Sequence, residues 1–464
     1  MNDIPETIHR LRHWLKTAIA RLETKFPYAQ ASFSEQEGLA IMSNRQETRV
    51  SEIPSRRGIT LAVHTGQFWA EVGASEVTEA SIDASVTRLL ERIPVESGGT
   101  PIDPGRPWSG DFHSEYRIDP RQIPLRDKIE RLAEIRQVLT GGSPRVAAAF
   151  VRYGERIVRK VYVNRVKDLY QELLHVSSVP VVIVSDGRST KTMHGGNGYQ
   201  AGFEKIEYSR EALETLVRES ESLLDAGTIE PGIYEVVGGP GLAGVIAHEA
   251  FGHGVEADMF LKQRAKAVDY LGKPVASPLV NMIDSPLTKG YPGSYFFDDE
   301  GMPATDTHII ENGVLRNVLT DLRSASELGV PRSANGRREA FTNKVYARMT
   351  NTYFAPGEST RDAMIASVDR GLYMPHGSNG MEDPKNWGIQ VESPFALEIR
   401  GGKLTGKVFA PVVITGFVPD LLNSISMVGN DLHLEGLGIC QKGHKEQVPV
   451  AIGGPHLKMT ARVG

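Results

Sequence analysis

The first part of the chain alternates between helix-like and strand-like patterns of apolar positions. Residues 8–22 carry apolar side chains at 3.6-residue spacing, which predicts an amphipathic helix (Ile8, Leu11, Leu15, Ala18, Ile19 and Leu22). Short alternating segments follow (ASFSEQ, LAIMSN, GITLAVHT and FWAEVGA), and these are typical of antiparallel strands. A second helix is predicted from about Ser75, with Pro94 as its stop.

The same order of elements then occurs a second time. Prolines and glycines without periodicity mark residues 96–121 as a linker or covering loop. A helix is predicted over 125–139 and another over roughly 209–226. Between them lie strand segments (RVAAAFVRY, RIVRKVYVN, LYQELLHVSS and VPVVIVSDG). The repeated order suggests a duplication, although no residue-level repeat accompanies it.

Beyond Gly232, strand-length runs punctuated by glycine dominate, as in VFAPVVITG and VPVAIGG. Short helices are predicted near 243–251, at 320–327 and at 361–370. The whole pattern predicts an α+β protein in which helix/antiparallel-sheet domains precede a β-rich domain with a short helix. The expected division is an N-terminal α+β domain (1–95), a Pro/Gly-rich linker (96–121), a middle α+β domain (122–230) and a β-rich C-terminal domain (231–464).

Composition and charge exclude several classes of protein. Lys and Arg number 52 against 57 Asp and Glu, so the net charge of −5 gives no basic surplus for a dedicated nucleic-acid binder. The start of the chain shows no apolar h-region, and apolar runs such as VPVVIV are too short to cross a bilayer. We therefore expect neither a nucleic-acid nor a membrane partner. The lone cysteine, Cys440, cannot form an internal disulfide, which fits a reducing, cytoplasmic setting.

One segment, GGPGLAGVIAHEAFGHGVEAD at 238–258, carries evident chemistry. Its glycines at 239, 241 and 244 satisfy G-x-G-x-x-G between a strand and a helix, the layout of a dinucleotide-binding turn. This pattern is weak in a chain with 47 glycines, and the rest of a βαβ unit is missing. A tight glycine-rich turn into a helix is the favoured interpretation. A nucleotide-dependent oxidoreductase is the alternative, and NAD or FAD binding that survives replacement of His248 would favour it.

His248, Glu249 and His253 in the same segment indicate a possible metal site. In His-Glu-x-x-His, two ligands lie four residues apart, about 40° around a helix, and the glutamate acts as general base. Here the histidines are five residues apart, roughly 140° around a regular helix, so an unbroken α-helix cannot direct both at one metal. Gly252 and Gly254 flank His253 where the helix would have to end or bulge. On residue types alone, core or surface histidines in a short helix remain the alternative.

A catalytic zinc site takes three protein ligands and leaves the fourth position for water. The candidates for a third ligand are carboxylates, histidines and the thiol (Glu256, Asp258, His308, His376, His433, His444, His456 and Cys440). A carboxylate at 256 or 258 is local and sterically easy, whereas a buried cysteine is by default an inert small hydrophobe. Cys440 nevertheless lies between strands and beside glycines, and a thiolate is the strongest zinc donor among these groups. The residues alone leave this choice open.

Several separate segments closely resemble the TldD branch of the TldD/PmbA metalloprotease family. They are HEAFGHGVEAD, FDDEG (297–301), NGRRE (335–339), MTNTYFAPGEST (349–360), SISMVGNDL (424–432) and GICQKGHKEQVPVAIGGPHLKM (438–459). The resemblance is dense over about 232–460 and weaker before. It implies a zinc-dependent peptidase with one zinc ion per active chain, bound by His248, His253 and Cys440, and with Glu249 as the catalytic carboxylate. The inactive TldE/PmbA-like branch lacks these residues, whereas this chain keeps all four.

The resemblance further implies hydrolysis of unfolded or extended peptides, often by a complex of an active and an inactive member. We therefore expect a dimer, with a second copy or with a TldE/PmbA-like subunit. The mechanism expected is attack by metal-activated water with Glu249 as general base. Candidates for stabilising the oxyanion lie in the matched segments, and a structural hydrogen bond or salt bridge is the favoured role of each (Arg337, Arg338, Tyr353 and His444). The alternative function is a non-catalytic or regulatory partner subunit, since the family was once described as modulators of DNA gyrase.

Overall fold

The computed structural model describes residues 4–95, 101–442 and 446–464. The helices in these ranges are α1 (Glu6–Leu22), α2 (Glu79–Arg92), α3 (Leu125–Gly141), α4 (Arg210–Ser222), α5 (Pro240–Ala247), α6 (Ala257–Leu261), α7 (Leu322–Leu328), α8 (Arg361–Ala366) and α9 (Val418–Asn423). The helix expected from Ser75 begins at Glu79, because the side chain of Thr78 accepts a hydrogen bond from the amide of Ser81 and caps it. The helix expected near 243 begins earlier, at Pro240, since proline is favoured in a first turn.

The first half of the chain builds one sheet. Its strands are β1 (Tyr28–Ser43), β2 (Thr48–His64), β3 (Trp69–Ala74), β4 (Trp108–His113), β5 (Val146–Asn164), β6 (Lys167–Ser185), β7 (Thr190–His194) and β8 (Asn197–Tyr199). The order is β3-β2-β1-β5-β6-β4, with β7 and β8 also pairing with β6. The central pair, β1 and β5, runs antiparallel from Gln30↔Asn164 to Ser43↔Val151. Strands from both expected α+β domains therefore belong to the same sheet, and their division into two domains stays a prediction.

The two helix–strands–helix units meet where β1 of one pairs with β5 of the other. One unit contains α1, β1 to β3 and α2, and the other contains α3, β5 to β7 and α4. Helices α1 and α2 pack on each other, as do α3 and α4. A duplication would produce this arrangement, and it stays a prediction here.

Several predicted boundaries inside this half were wrong. ASFSEQ and LAIMSN form the single strand β1, because Gly38 does not turn the chain but lets β1 approach the backbone of Glu155 closely. LYQELLHVSS and VPVVIVSDG likewise form the single strand β6. Residues 96–121 were predicted as a linker or covering loop. They contain β4, which pairs in parallel with β6, and residues 96–100 lie outside the described ranges, so the linker itself stays a prediction.

The second half contains two larger sheets. Its strands are β9 (Gly232–Gly238), β10 (Met282–Asp284), β11 (Thr307–Glu311), β12 (Val314–Leu315), β13 (Gly336–Arg337), β14 (Tyr346–Ala347), β15 (Asn351–Phe354), β16 (Arg370–Met374), β17 (Asn379–Asp383), β18 (Gly388–Ser393), β19 (Ala396–Arg400), β20 (Lys403–Phe409), β21 (Val412–Phe417), β22 (Met427–Val428), β23 (His433–Lys442), β24 (Glu446–Gly454) and β25 (Leu457–Val463). One sheet has the order β12-β11-β10-β15-β24-β23. The other has the order β17-β18-β21-β25-β9-β16-β19-β20, with β22 on β25, and β13 pairs with β14 alone.

Helix α5 lies between these two sheets. It contacts β15, β23 and β24 on one side and β9, β17 and β18 on the other. Its sequence, PGLAGVIA, has no polar face, and every residue from Gly241 to Ala247 is buried. A helix that is apolar all round is a core helix, so α5 is fixed within the C-terminal core. The α+β fold class and the β-rich C-terminal part are confirmed.

Among the described residues, no helix is long and apolar enough to cross a membrane.

Candidate metal centre

The backbone changes from α5 to a π turn at the first histidine of the motif. In the π turn, His248–Gly252, the amide of His253 donates a hydrogen bond to the carbonyl of His248. An i to i+5 hydrogen bond brings residues five apart onto consecutive turns. Gly252 lets this turn pack closely against Met349, because a Cβ there would collide with the Met349 sulfur. The distortion that the histidine spacing required is therefore present.

The structure brings His248, His253 and Cys440 together. Their potential ligand atoms all lie within 4.8 Å of one another. Nε2 of His253 is 3.7 Å from Sγ of Cys440, and the two imidazole rings lie 5.1 Å apart, nearly perpendicular at 84°. Cys440 comes from β23, an edge strand that packs against α5. Within the described ranges, no other group of three His, Cys, Asp or Glu side chains converges in this way.

Glu256 orients the second histidine. Its Oε2 lies 3.2 Å from Nδ1 of His253, which leaves Nε2 of that ring directed at Cys440. Burial alone would raise the pKa of Glu256, but the ammonium of Lys442 at 3.0 Å and the ring of His253 hold it well below its usual range. Asp258, the other local carboxylate, accepts hydrogen bonds from Lys442 and Lys262. Glu256 is thus engaged with Nδ1 of His253 and with Lys442, and Asp258 is engaged with two lysines.

The surroundings of Cys440 favour its thiolate. Burial raises the pKa of a thiol, yet the neighbouring His253 and His248 outweigh burial and lower the pKa of Cys440 well below its usual value. Nη2 of the fully buried Arg348 donates a hydrogen bond to the carbonyl of Cys440 at 2.7 Å and adds positive charge nearby. The thiolate is the form of cysteine that binds metal ions.

The donor set fits a zinc ion. Two imidazoles and a thiolate are typical zinc ligands, and three protein ligands leave room for a water. His248 is 7% exposed, and its Nδ1 is buried without a hydrogen-bond partner among the described residues. An unsatisfied buried polar atom costs about 1–3 kcal/mol, and ligation through this same nitrogen would offset that cost.

Glu249 lies half-buried on the π turn, next to His248. Gly380 of β17 makes room for it, since a Cβ at 380 would be 2.5 Å from Cγ of Glu249. Glu382, two residues along the same strand, has both carboxyl oxygens buried without a hydrogen-bond partner in the described part of the chain. Burial raises the pKa of Glu382 well above its usual range, and the charge of Glu249 adds to that rise. The edge strand β17 therefore supplies one wall of the centre.

The glycines before the π turn serve packing. A Cβ at Gly244 would lie 2.6 Å from the backbone nitrogen of Gly453, and one at Gly241 would lie 2.7 Å from Oε1 of Glu435. Each of these two glycines therefore packs against another segment of the protein. Gly244 lets α5 approach β24, and the carboxylate of Glu435 faces the positive N-terminal end of α5. These contacts support the interpretation as a glycine-rich turn.

The remaining histidine candidates for a third ligand lie elsewhere. His308 is 3.7 Å from Glu311, His376 is 3.2 Å from Glu219, and His456 contacts Asp431 and Tyr373. His433 is exposed at the start of β23, and His444 lies outside the described residues.

The oxyanion candidates within the described ranges have structural partners, as the sequence favoured. Arg337 donates hydrogen bonds to the carbonyls of Met349 and Pro449, the latter at 2.8 Å. Nη1 of Arg338 forms an ion pair with Glu71 at 2.7 Å. Burial raises the pKa of Tyr353, whose hydroxyl interacts with the side chain of Thr288. His444 again lies outside the described residues.

Sequence reasoning missed the roles of Glu256, Lys442 and Arg348 and the approach of Glu382. Each is an ordinary charged residue with no motif spacing of its own. Glu382 in particular reaches the centre only through the pairing of β17 with β18, which no local pattern encodes.

Comparison with known proteins agrees with this geometry. Residues 231–463 match the family model of the PmbA/TldA metallopeptidase C-terminal domain. A metalloprotease of Methanothermobacter thermautotrophicus is 35% identical over 287 residues, 61% of this chain and 62% of that protein, so the match spans less than two thirds of the relative. A metalloprotease TldD homolog of Buchnera aphidicola subsp. Acyrthosiphon pisum is 33% identical over 71% of this chain and 67% of its own. A zinc metalloprotease TldD homolog of Saccharolobus solfataricus is 26% identical over 72% of this chain and 74% of its own.

The fold also has counterparts among solved structures. A candidate modulator of DNA gyrase from Thermotoga maritima superposes with a TM-score of 0.77 at 18% identity, covering 97% of this chain and 99% of the other. TldE from Thermococcus kodakarensis superposes with a TM-score of 0.74 at 15% identity, covering 96% and 99%. At these identities the likeness concerns the fold. The family model and the curated relatives show that the chain belongs to the PmbA/TldD metallopeptidase family.

Proposed function

We propose that the protein is a zinc-dependent peptidase that hydrolyses unfolded or extended peptides. The observation that carries the proposal is the convergence of His248, His253 and Cys440 beside Glu249. His248, His253 and Cys440 would hold one zinc ion per chain. The ion would supply Lewis-acid chemistry, polarising the peptide carbonyl and lowering the pKa of a water molecule to about 7.

Within this proposal, Glu249 is the general base. It follows His248 directly, and the lack of a side chain at Gly380 leaves space for its side chain beside β17. Glu249 would accept a proton from the attacking water and later deliver it to the leaving amine. Glu256 would keep the ring of His253 in the required orientation throughout.

Two edge strands support an extended peptide as the substrate class. β17 packs against Glu249, and β23 carries Cys440, so the centre lies between two strands that each end a sheet. An exposed strand edge binds an extended chain through main-chain hydrogen bonds, which require no particular side chains.

The proposal includes a dimeric, cytoplasmic protein. A reducing compartment would keep Cys440 as a free thiolate. Relatives named TldD homologs and a structural neighbour named TldE favour pairing with a second copy or with a TldE-like subunit.

Zinc content and hydrolysis of an unfolded peptide, measured on the same preparations, test this function. We expect near-stoichiometric zinc and hydrolysis in the wild type. Glu249→Ala should keep its zinc and lose hydrolysis by a factor of about 10² or more, because removal of a general base costs about that much. Cys440→Ala should lose most of its zinc. His308→Ala, at an exposed histidine of the same half, is the control that should change neither.

The zinc and hydrolysis measurements distinguish a wrong ligand assignment from a wrong activity. Normal zinc in Cys440→Ala would make the ligand assignment wrong and turn attention to Glu256 or Asp258. A wild-type protein without zinc would favour a non-catalytic partner subunit. Zinc-loaded protein that hydrolyses no peptide would contradict the proposed activity while leaving the metal site in place.

A further inference from the structure

A cluster of basic side chains, some buried and some half-buried, lies where the first sheet meets the C-terminal half. Arg156 of β5 and His175 of β6 form a cross-strand pair, and both lie close to Arg337. Lys160, on the same face of β5, forms an ion pair with Asp299 at 2.5 Å. This face of β5 is therefore directed at the C-terminal half.

Charge balance within this cluster is incomplete at Arg156. Lys160 is neutralised by Asp299, and Arg337 donates to two backbone carbonyls. Among the described residues, Arg156 has a single hydrogen bond, from Nη1 to Oε1 of Gln36 at 3.5 Å, and no carboxylate forms an ion pair with it. Burial and the charge of Arg337 lower the pKa of Arg156. A largely buried guanidinium without an anion is unfavourable, and a bound anion would remove most of that cost.

His175 adds a second incomplete group beside Arg156. The ring is 8% exposed, and its Nδ1 has no hydrogen-bond partner in the described ranges. Burial lowers its pKa well below the usual value, with Arg156 and Arg337 contributing to that shift. A neutral imidazole can still donate one N–H to an anion held by Arg156. Arg156 keeps part of its surface accessible, so an incoming group can reach it.

Contacts near this cluster reach β23, the strand that carries Cys440, and its partner strand β24. Asn197 of β8 donates to the carbonyl of Leu434 at 3.2 Å, which joins the first sheet to the start of β23. Further along, Arg337 contacts the carbonyl of Pro449, the cross-strand partner of Ile439. Ile439 precedes Cys440, is 64% exposed, and lies on an edge strand. Arg337 therefore connects the Arg156 cluster with the pair of strands that carries Cys440.

We propose that Arg156, with His175 beside it, binds a carboxylate of the peptide substrate. The source is either the peptide's C-terminal carboxylate or an Asp or Glu side chain, since a guanidinium binds both in the same forked geometry. The inference rests on the proposed peptidase function and deepens it, because it gives the site a preference for acidic or free-ended peptides.

Matched peptides test the inference on full-length, zinc-loaded protein. One pair differs only in a free or amidated C-terminus, and another only in Glu or Gln at one position. We expect wild type to prefer one charged member by about 10- to 100-fold in kcat/KM, the usual worth of a hydrogen bond to a charged group. Arg156→Gln should abolish the preference, and Arg156→Lys should restore part of it. Arg152→Gln, at an exposed arginine on the same face of β5, should behave as wild type.

Binding gives a second readout that does not depend on turnover. The preferred fluorescent peptide should bind Glu249→Ala about 10- to 100-fold more tightly than Glu249→Ala/Arg156→Gln, measured by anisotropy. Hydrolysis without any charge preference would overturn this inference while leaving the peptidase function intact. Absence of all hydrolysis would contradict the peptidase function, and the binding difference would still decide on the carboxylate site. If Arg156→Gln changed only the state of association seen by sedimentation, the anion would belong to a partner subunit and the inference would be wrong.

Discussion

The carboxyl group of Glu300 lies in a buried acidic cluster. Glu300, Asp298 and Asp321 are all less than 9% exposed, and the nearest cation, Nη2 of Arg332, is 3.6 Å from Oε2 of Glu300. Burial and the charge of Asp321 raise the pKa of Glu300 to about 8, and burial also raises that of Asp298. The folded protein therefore retains a proton that an unfolded glutamate releases near pH 4.3.

This shift predicts a pH-dependent loss of stability. Because the folded pKa is raised, Glu300 makes the free energy of unfolding fall as pH rises from about 4.3 to about 8. Glu300→Gln removes the titrating proton but keeps an acceptor for the amide of Leu322. Relative to wild type, we expect the free energy of unfolding of the variant to increase between pH 5 and pH 8, by no more than a few kcal/mol. Above pH 8 this difference should become constant.

Urea unfolding of both proteins at pH 5, 6.5 and 8 measures this difference. Glu358→Gln, at an exposed carboxyl group, is the matched control and should show the same small difference at each pH. If the difference in the free energy of unfolding between Glu300→Gln and wild type were also the same at all three pH values, Glu300 would be ionised in the folded protein throughout this range.

The residues of the candidate metal centre differ in how well they could be predicted from the sequence. His248 and His253 could be named because they share a motif, and Cys440 because the chain has one cysteine and a family resemblance points to it. Glu256 was named as a possible ligand, yet its contacts with His253 and Lys442 place it one shell away from the cluster. A metal ligand and a residue that only orients a ligand can both be polar and close in sequence to the motif. Their positions in the sequence therefore do not distinguish the two roles.

At the scale of elements, the metal centre depends on how closely α5 approaches β24. A Cβ at Gly244 would lie 2.6 Å from the nitrogen of Gly453 and 2.9 Å from its Cα, and these backbone atoms cannot rotate away. The π turn continues directly from α5, so a displaced α5 would carry His248 away from Cys440 on β23. The helix and the hairpin must keep their present distance for the three side chains to converge.

Gly244→Ala should therefore weaken metal binding as well as stability. We expect a loss of about 1–3 kcal/mol in the free energy of unfolding, the usual cost of overpacking, and a lower affinity for zinc. Urea unfolding and competition with a chromogenic chelator measure the two effects. Gly141→Ala, at the end of α3 where an added Cβ meets nothing within 4 Å, is the control. It should leave zinc affinity unchanged and should not lower the free energy of unfolding. Wild-type zinc affinity in Gly244→Ala would show that α5 can move without disturbing the centre.

The spacing of apolar residues predicted the amphipathic helices more accurately than the fully buried ones. Helix α1 shows a clear apolar stripe because one face meets the sheet and the other meets solvent. Helix α5 shows none because both faces are buried between sheets, so its first residue and its π turn could not be read from the pattern. The long strands β1 and β5 were divided at Gly38 and Gly154. In fact Gly38 permits a close approach to the backbone of Glu155 in β5, and Gly154 permits one to the side chain of Ser177 in β6.

At the scale of the whole molecule, the first core crosses the expected domain boundary. The cluster of buried apolar residues under α1 and α2 includes Val161 and Val163 of β5 and Tyr170 of β6. The antiparallel pairing of β1 with β5 crosses the same boundary through main-chain hydrogen bonds. Two segments that share both a sheet and a core should unfold together, whereas the sequence predicted two domains.

Leu15→Ala distinguishes these possibilities. Leu15 of α1 is fully buried in this core, and removal of its side chain should cost about 2–5 kcal/mol. Because Val161 and Val163 pack in the same core, we expect faster amide hydrogen exchange in β5 as well as in β1. Leu404→Ala, at a half-exposed leucine of β20, should alter neither strand. If only β1 exchanged faster, the residues before and after 96–121 would be separate folding units, and the shared sheet would be an interface between them.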